Sequence, residues 1–178
     1  MNLLGKMGGG GASPPRVGLA EIAWSFIGAT VGIGLVAWLH EDVVGPAGLP
    51  FLIGSFGASA VLLYGAPASP LAQPRNVLGG HFLSALVGVA ARSLLPGPGW
   101  LVCALAVAVA IALMHATGTL HPPGGATALI AVTGGPGIIA LGYLFALVPA
   151  LSGAAVMLAV ALLANNLAPR RRYPQYWR

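Results

Sequence analysis

Four apolar runs, each long enough to cross a lipid bilayer, constrain this chain more than any other feature. They cover about residues 17–40, 77–95, 100–117 and 137–167. Because an α-helix rises about 1.5 Å per residue, about 20 apolar residues cross the roughly 30 Å of hydrocarbon in a membrane. Only 6% of the residues are charged, whereas a soluble domain carries about a quarter. The sequence therefore predicts an all-α fold, a polytopic membrane helical bundle.

Two shorter apolar pieces lie between these runs, and each contains a helix that starts at glycine. The first covers residues 51–64. The second begins with His-Pro-Pro-Gly-Gly at residues 121–125, where proline suits the first turn of a helix because its missing N–H would have had no partner there. Residues 57–63 and 125–131 match in residue type at every position. This match predicts a two-fold internal repeat.

The pattern fits two topologies, and both place the chain termini on the same side. In the first, four full transmembrane helices accompany two short re-entrant or broken helices; in the second, six spans form a 3+3 inverted repeat. The second topology places Arg75 in the cytoplasm, where basic residues concentrate, but the shortness of the two pieces favours the first. Basic residues flank the first and last runs. Such residues mark the cytoplasmic side, so we expect both termini to be cytoplasmic. The expected location of this multi-pass protein is a bacterial inner membrane.

The chain divides into three parts by composition. Residues 1–16 predict a flexible tail rich in glycine and proline, residues 17–168 form the transmembrane domain, and residues 169–178 form a basic, aromatic cytoplasmic tail. Arg92 and the arginines at 170–172 are expected to be interfacial charges with their stems along apolar surface. Within the transmembrane part, Pro149 predicts a kink in the last run.

Small residues recur every four positions in two of the long runs. One stripe is Gly28 and Gly32, and the other is Gly80, Ser84 and Gly88. Such stripes let the backbone of a neighbouring helix approach closely. The neighbour could belong to the same chain or to a second copy, so a homo-oligomer is compatible with the sequence.

The composition argues against several other classes of protein. The acids are Glu21, Glu41 and Asp42, all near the ends of the first run, so no paired carboxylates suit general acid and base catalysis. A single cysteine, Cys103, leaves no cysteine cluster for a metal. The arginines form a short tail rather than a basic face with aromatic partners. We expect no enzyme, no metal or cofactor, and no nucleic-acid partner.

Polar residues beside the two short helices are the candidates for a substrate-binding or pore-lining site. A helix N-terminus carries partial positive charge and free backbone N–H donors, so the turn at 121–125 should attract an anion. His121 is suited to bind that anion or carry its proton, although it could instead cap the helix. Arg75 could line an anion vestibule or satisfy free carbonyl groups. The full candidate set is His121, Pro122, Pro123, Gly124, Gly125, Thr127, His81, Arg75, Asn76, Ser55 and Ser59.

Four motifs resemble, in order, those of the HPP family of integral membrane proteins. They are Gly-Ser-Phe-Gly-Ala-Ser-Ala at 54–60, Ser-Pro-Leu-Ala-Gln-Pro-Arg-Asn at 69–76, Gly-His at 80–81 and His-Pro-Pro-Gly-Gly-Ala-Thr-Ala at 121–128. The resemblance extends from about Trp24 to the aromatic tail and implies four transmembrane helices. It also implies anion transport, since chloroplast and cyanobacterial relatives are implicated in nitrite transport. The chain departs from the pattern at Gly124, where we expect alanine in many relatives.

The residues and the resemblance together predict a membrane transporter or channel. Its expected substrate is a small inorganic anion, with nitrite as the first candidate. The lipid bilayer is its expected environment. Two alternatives remain open. The protein could carry another small solute, or it could be a membrane scaffold or assembly protein that transports nothing.

Overall fold

The computed structural model describes residues 3–177, and the described part of the chain contains helices and no strand. Two single 3₁₀ turns lie at Gly45–Ala47 and Pro70–Ala72, and π-helical turns cover Leu39–Val44, Val61–Gly65 and Ala146–Leu151. The α-helices are α1 Leu3–Met7, α2 Leu19–Trp38, α3 Ser55–Ala60, α4 Pro74–Leu94, α5 Gly99–Thr117, α6 Pro122–Thr133, α7 Pro136–Ala140 and α8 Ser152–Leu167.

Four of the helical stretches are long and apolar enough to cross a membrane, which confirms the predicted bundle. They are Leu19–Ala47, Pro74–Leu94, Gly99–Thr117 and Ala146–Leu167. Large apolar side chains cover their outer faces, as expected for contact with lipid. The last apolar run is interrupted at the predicted proline, because Val148 has φ −130° and ψ 116° and a residue that precedes proline avoids helical geometry.

The bundle has two ends, which we call near and far. At the near end, where α2 begins and α8 ends, Arg171 pairs with Glu21 at 2.8 Å. At the far end, where the helical extension of α2 finishes, the Phe51 amide donates to His40 Nδ1 at 3.1 Å. These two contacts mark the ends of the bundle between which the two short helices run.

Helix α6 begins inside the bundle near the start of α4 and runs beside α4 in the same direction. A Cβ added at Gly80 would lie 2.5 Å from the Cβ of His121. At the other end of α6, Arg92 donates to the carbonyl of Val132 at 2.6 Å. Since Arg92 lies in the last turn of α4, α6 reaches the far end of the bundle and does not turn back.

Helix α3 also starts inside the bundle, and it finishes at the near end. Its first residue, Ser55, is 1% exposed. Its π-helical continuation ends beside α8, where Asn165 donates to the carbonyl of Leu63 at 2.9 Å. Both short helices are therefore broken crossings, each with an irregular segment before the helix. Four long helices with two short broken ones are the predicted fold. Counted as crossings, the path also corresponds to the six-pass alternative, and the internal repeat itself stays a prediction.

The small-residue stripe of α4 packs against α6, as the spacing predicts. A Cβ at Gly88 would lie 2.6 Å from the Cβ of Ala131, so only a residue without a side chain permits this approach. The stripe of α2 has a different partner. A Cβ at Gly28 would lie 2.9 Å from the ring of Tyr64, so the glycines of α2 accommodate an aromatic side chain instead of a helix backbone.

The described part of the C-terminal segment packs onto the bundle. Arg171 was expected to be an interfacial charge, and this prediction is wrong because its side chain is only 3% exposed. Its guanidinium donates to the Glu21 carboxylate and carbonyl, the Ser25 hydroxyl, the Tyr64 carbonyl and the Asn165 side chain. The side chain thus joins α2, the end of α3 and α8.

Tyr173 secures the same segment to the loop that precedes α4. Its hydroxyl donates to the Ala72 carbonyl at 2.7 Å, and burial raises the pKa of that hydroxyl. At the other terminus, the predicted flexible tail contains the short helix α1 and exposed residues up to α2, and its first two residues lie outside the described part.

Candidate functional site

Five of the predicted site residues form one buried polar cluster in the centre of the bundle. Ser55 and Ser59 come from α3, His81 from α4, and Thr127 from α6, while His121 immediately precedes α6. Each of the five is no more than 1% exposed. The two broken crossings therefore meet at a polar site inside an apolar bundle.

Ser59 connects the two histidines of the cluster. Its Oγ lies 2.8 Å from His81 Nε2 and 2.9 Å from His121 Nε2. The two imidazole rings lie edge to face, with their centroids 5.1 Å apart. The second ring nitrogen of His121, Nδ1, lies 2.8 Å from the carbonyl oxygen of Leu71. A single serine thus links side chains from α4 and from the turn before α6.

The other ring nitrogen of His81 is connected through Thr127 to the second serine, Ser55. His81 Nδ1 lies 2.7 Å from Thr127 Oγ1, which is 2.9 Å from Ser55 Oγ. Thr127 Oγ1 also lies 3.2 Å from the Pro123 carbonyl. The five side chains therefore form one continuous line of hydrogen bonds that ends at a backbone carbonyl.

Close packing holds the two imidazoles in place. Besides Gly80, which lies against His121, Gly124 lacks a side chain where a Cβ would be 2.7 Å from Ser84 Oγ. Phe56 packs edge-on against the His81 ring, with the centroids 5.4 Å apart. Small residues and one aromatic ring thus fix the rings without ionised neighbours.

The helix start at 122–125 offers fewer free donors than the sequence predicts. Pro122 and Pro123 have no N–H, and the Gly124 amide donates to the His121 carbonyl at 2.8 Å. Pro123 and Gly124 are buried, whereas Pro122 is exposed and Gly125 is half-buried. The Gly124 amide is therefore engaged within the turn, and an anion site at this helix start stays a prediction.

Two predicted residues, Arg75 and Asn76, lie outside the cluster. Arg75 is exposed and donates to the carbonyl of Thr117, the last residue of α5. Asn76 donates to the Leu120 carbonyl at 2.9 Å, and its buried Oδ1 has no partner in the described part of the chain. Both side chains hold the connection between α5 and His121. For Arg75 the structure supports the role of satisfying carbonyl groups at a helix C-terminus.

Two contacts, one in the site and one at the near end of the bundle, could not be found from the sequence motifs. The Leu71 carbonyl anchors His121 although Leu71 carries no polar side chain. Arg171 lies in a run of three arginines that looks like an ordinary surface cluster.

Among residues 3–177, no group of three or more His, Cys, Asp or Glu side chains is placed to hold a metal ion.

The fold and the apolar outer surface define the class first: this is a multi-pass helical membrane protein. The profile described as the transmembrane region of HPP matches residues 14–174. The chain therefore belongs to the HPP family of transmembrane proteins.

Two transmembrane proteins of Dictyostelium discoideum are similar to this chain. One is 49% identical over 167 residues, which are 92% of this chain and 58% of the relative. The other is 47% identical over 175 residues, which are 97% of this chain and 56% of the relative. The chain thus spans less than two thirds of the length of these relatives. No solved structure gives a significant match.

Proposed function

We propose that the protein is a membrane transporter for a small inorganic anion, most of all nitrite, and that the buried cluster is its substrate site. The observation that carries the proposal is the meeting of two broken crossings at five buried polar side chains. Polar and ionisable groups inside a membrane are costly, so they mark function more often than packing. Many transporters bind their substrate where two interrupted helices meet near the midplane.

The chemistry of the cluster favours an anion or a neutral solute over a cation. Its side chains are two imidazoles and three hydroxyls, all of which can donate hydrogen bonds. None of the five is a carboxylate, the group that most cation sites use. These groups bond directly to one another, so a solute binds only when some of those bonds open. Nitrite can accept hydrogen bonds through its oxygens and its nitrogen.

An enzyme is the alternative that the geometry makes worth testing. Ser59, His121 and the Leu71 carbonyl have the outline of a nucleophile, a base and an orienting group. However, Ser59 is 1% exposed, and His81 occupies the other side of its hydroxyl. We therefore propose transport rather than hydrolysis. Covalent labelling of Ser59 by a fluorophosphonate probe would contradict that choice.

Nitrite uptake by the purified full chain in proteoliposomes tests the proposal. Protein-free liposomes measure the passive permeation of nitrous acid, and uptake of urea and ammonium in parallel tests for a neutral or cationic solute. We expect nitrite uptake above the protein-free level. If only urea or ammonium is taken up, that solute replaces nitrite as the proposed substrate. If none of the three is taken up, the result favours a scaffold.

In cells we propose that the protein lies in a bacterial inner membrane, with both termini cytoplasmic.

A further inference from the structure

A basic cavity lies at the near end of the bundle, and none of the five cluster residues lines it. Its volume is about 580 Å³, within the range of about 300–1,000 Å³ that small-molecule sites occupy. The loop at 65–69 forms one wall and residues 170–172 form another, while Glu21 and Gln175 complete the lining. Three arginines and one glutamate thus face the cavity, so positive charge is in excess and the cavity suits an anionic group.

Two of the three arginines are available to such a group. The side chain of Arg171 is buried and pairs with Glu21 at 2.8 Å, which is the one ion pair among residues 3–177. Arg170 and Arg172 are exposed. The other two acids of the chain lie in the π-helical turn at the far end. The positive charges of Arg170 and Arg172 therefore have no acidic side chain beside them in the described part of the bundle.

Hydrogen bonds of the buried Gln73 hold the walls of the cavity together. Its Nε2 donates to the carbonyls of Pro67 at 3.0 Å and Ser69 at 2.7 Å, and its Oε1 accepts from the Gln175 amide at 2.8 Å. The side chain of Gln175 donates in turn to the Arg172 carbonyl at 2.6 Å. The loop and the C-terminal segment therefore hold fixed positions, and a preorganised site loses less entropy when a ligand binds.

The side chains around the cavity indicate that it lies at the boundary between hydrocarbon and water. Leu19 begins α2 and Leu167 ends α8, and both are exposed, as expected for contact with lipid chains. Tyr176 and Trp177 are exposed on the segment that forms one wall. Tyrosine and tryptophan concentrate where the membrane meets water. The cavity thus lies at the depth of lipid headgroups.

A groove continues from the cavity between the start of α2 and the end of α8. It measures about 340 Å³ and shares Glu21 and Arg170 with the cavity. The rest of its lining is apolar or aromatic: Ala20, Trp24, Ala168 and Pro169. A basic cavity that continues into an apolar groove matches a molecule with a charged headgroup and a hydrocarbon chain, whereas a soluble anion would occupy only the cavity.

We propose that the cavity binds the phosphate of an anionic phospholipid between Arg170 and Arg172, with an acyl chain entering the groove beside Trp24. Guanidinium groups suit phosphate because they donate two parallel hydrogen bonds to it. Basic pockets at the ends of membrane helices are known to hold anionic headgroups. The bound lipid contacts α2, the loop before α4 and the C-terminal segment. The site is separate from the buried cluster, so the proposal does not depend on nitrite transport.

Native mass spectrometry of the full chain in detergent measures lipid binding without any transport assay. The probes are phosphatidylglycerol, whose headgroup carries a net negative charge, and phosphatidylcholine, whose phosphate is balanced by its own ammonium. We expect phosphatidylglycerol to bind at least about tenfold more tightly, which corresponds to about 1.4 kcal/mol. Equal affinity for the two lipids would overturn the proposal.

Inorganic phosphate distinguishes a lipid site from a site for a soluble anion. At the same concentration as phosphatidylglycerol, phosphate should leave lipid binding unchanged, because it has no chain to occupy the groove. If phosphate displaces the lipid under these conditions, the cavity is a site for a soluble anion and the lipid assignment is wrong.

The double variant Arg170→Gln, Arg172→Gln should lose the preference for phosphatidylglycerol, because two charge-assisted contacts to the phosphate disappear. Its matched control is Lys6→Gln, Arg16→Gln, which removes the same charge from exposed residues that do not line the cavity. The control should keep the preference. If both double variants lose it equally, net charge rather than this cavity selects the lipid, and the proposal fails.

A variant that changes no charge tests the cavity itself. Ala68 is exposed on the loop wall, so Ala68→Trp adds bulk to the cavity and should weaken the binding of phosphatidylglycerol. Circular dichroism checks that each variant is folded. Unchanged lipid affinity in folded Ala68→Trp, or in the folded Arg170 and Arg172 double variant, would contradict the proposed site.

Discussion

Replacement of Arg171 by methionine should destabilise the bundle more than any other change in the C-terminal segment. The guanidinium makes five donated hydrogen bonds, two of them to Glu21. Methionine keeps much of the buried volume but leaves the Tyr64 carbonyl and the Asn165 oxygen without this partner. A buried acceptor that loses its donor costs about 1–3 kcal/mol, so the two acceptors together cost about 2–6 kcal/mol.

The magnitude expected for Arg171→Met is about 2–6 kcal/mol. The ion pair adds little beyond these bonds, because Glu21 is 36% exposed and water can replace its partner. Arg171→Lys should lower the free energy of unfolding by roughly half as much, since an ammonium cannot reach all five partners from one point. Unfolding of the purified protein in detergent, followed by circular dichroism as the fraction of sodium dodecyl sulfate rises, measures the change.

The matched control for this experiment is Arg170→Met. Arg170 is exposed, so its replacement should change the free energy of unfolding by no more than about 0.5 kcal/mol. The reasoning would be refuted if the two variants differed by less than about 1 kcal/mol. Such a result would mean that the C-terminal segment contributes no specific attachment to the bundle.

Three further predictions follow from the packing and the path of the chain. Gly88→Ala should cost about 1–3 kcal/mol in the same unfolding assay, because the new Cβ meets the Ala131 methyl at 2.6 Å. Tyr64→Phe should cost about 1 kcal/mol, since it removes the bond of 3.0 Å to the Met157 carbonyl and keeps the ring. Cysteine at Ser69 should react with an impermeant thiol reagent from the same side as both chain termini; reaction from the opposite side would contradict the six-pass path.

The sequence predicts the long helices well because each depends mainly on local composition. The predicted run at 77–95 corresponds to a helix over Pro74–Leu94, and the run at 100–117 corresponds to Gly99–Thr117. The spacing of Gly80 and Gly88 predicts close packing, and the structure places that face against α6. Neither spacing nor composition identifies the partner, which is why the glycines of α2 meet a tyrosine ring rather than a helix.

The sequence predicts which residues form the candidate site better than it predicts how they are arranged. The sequence proposes Ser59, His81 and His121 as substrate-binding or pore-lining residues, and the structure brings them into direct hydrogen bonds. Their contact depends on residues 22 and 62 positions apart, which no local pattern reveals. Arg171 was missed for the same reason, because its carboxylate partner Glu21 is 150 residues away.

The most direct test of the proposed site is nitrite uptake by His121→Ala beside His115→Ala. Both variants remove one imidazole, but His121 is 0% exposed within the cluster, whereas His115 is exposed at the end of α5. With an inward acidic pH gradient and protein-free liposomes subtracted, uptake should remain at the level of the unaltered protein in His115→Ala. In His121→Ala it should fall at least about tenfold, which corresponds to about 1.4 kcal/mol, because the variant loses the imidazole that bonds to Ser59 and the Leu71 carbonyl. Equal uptake by the two variants would contradict the assignment of the buried cluster as the transport site.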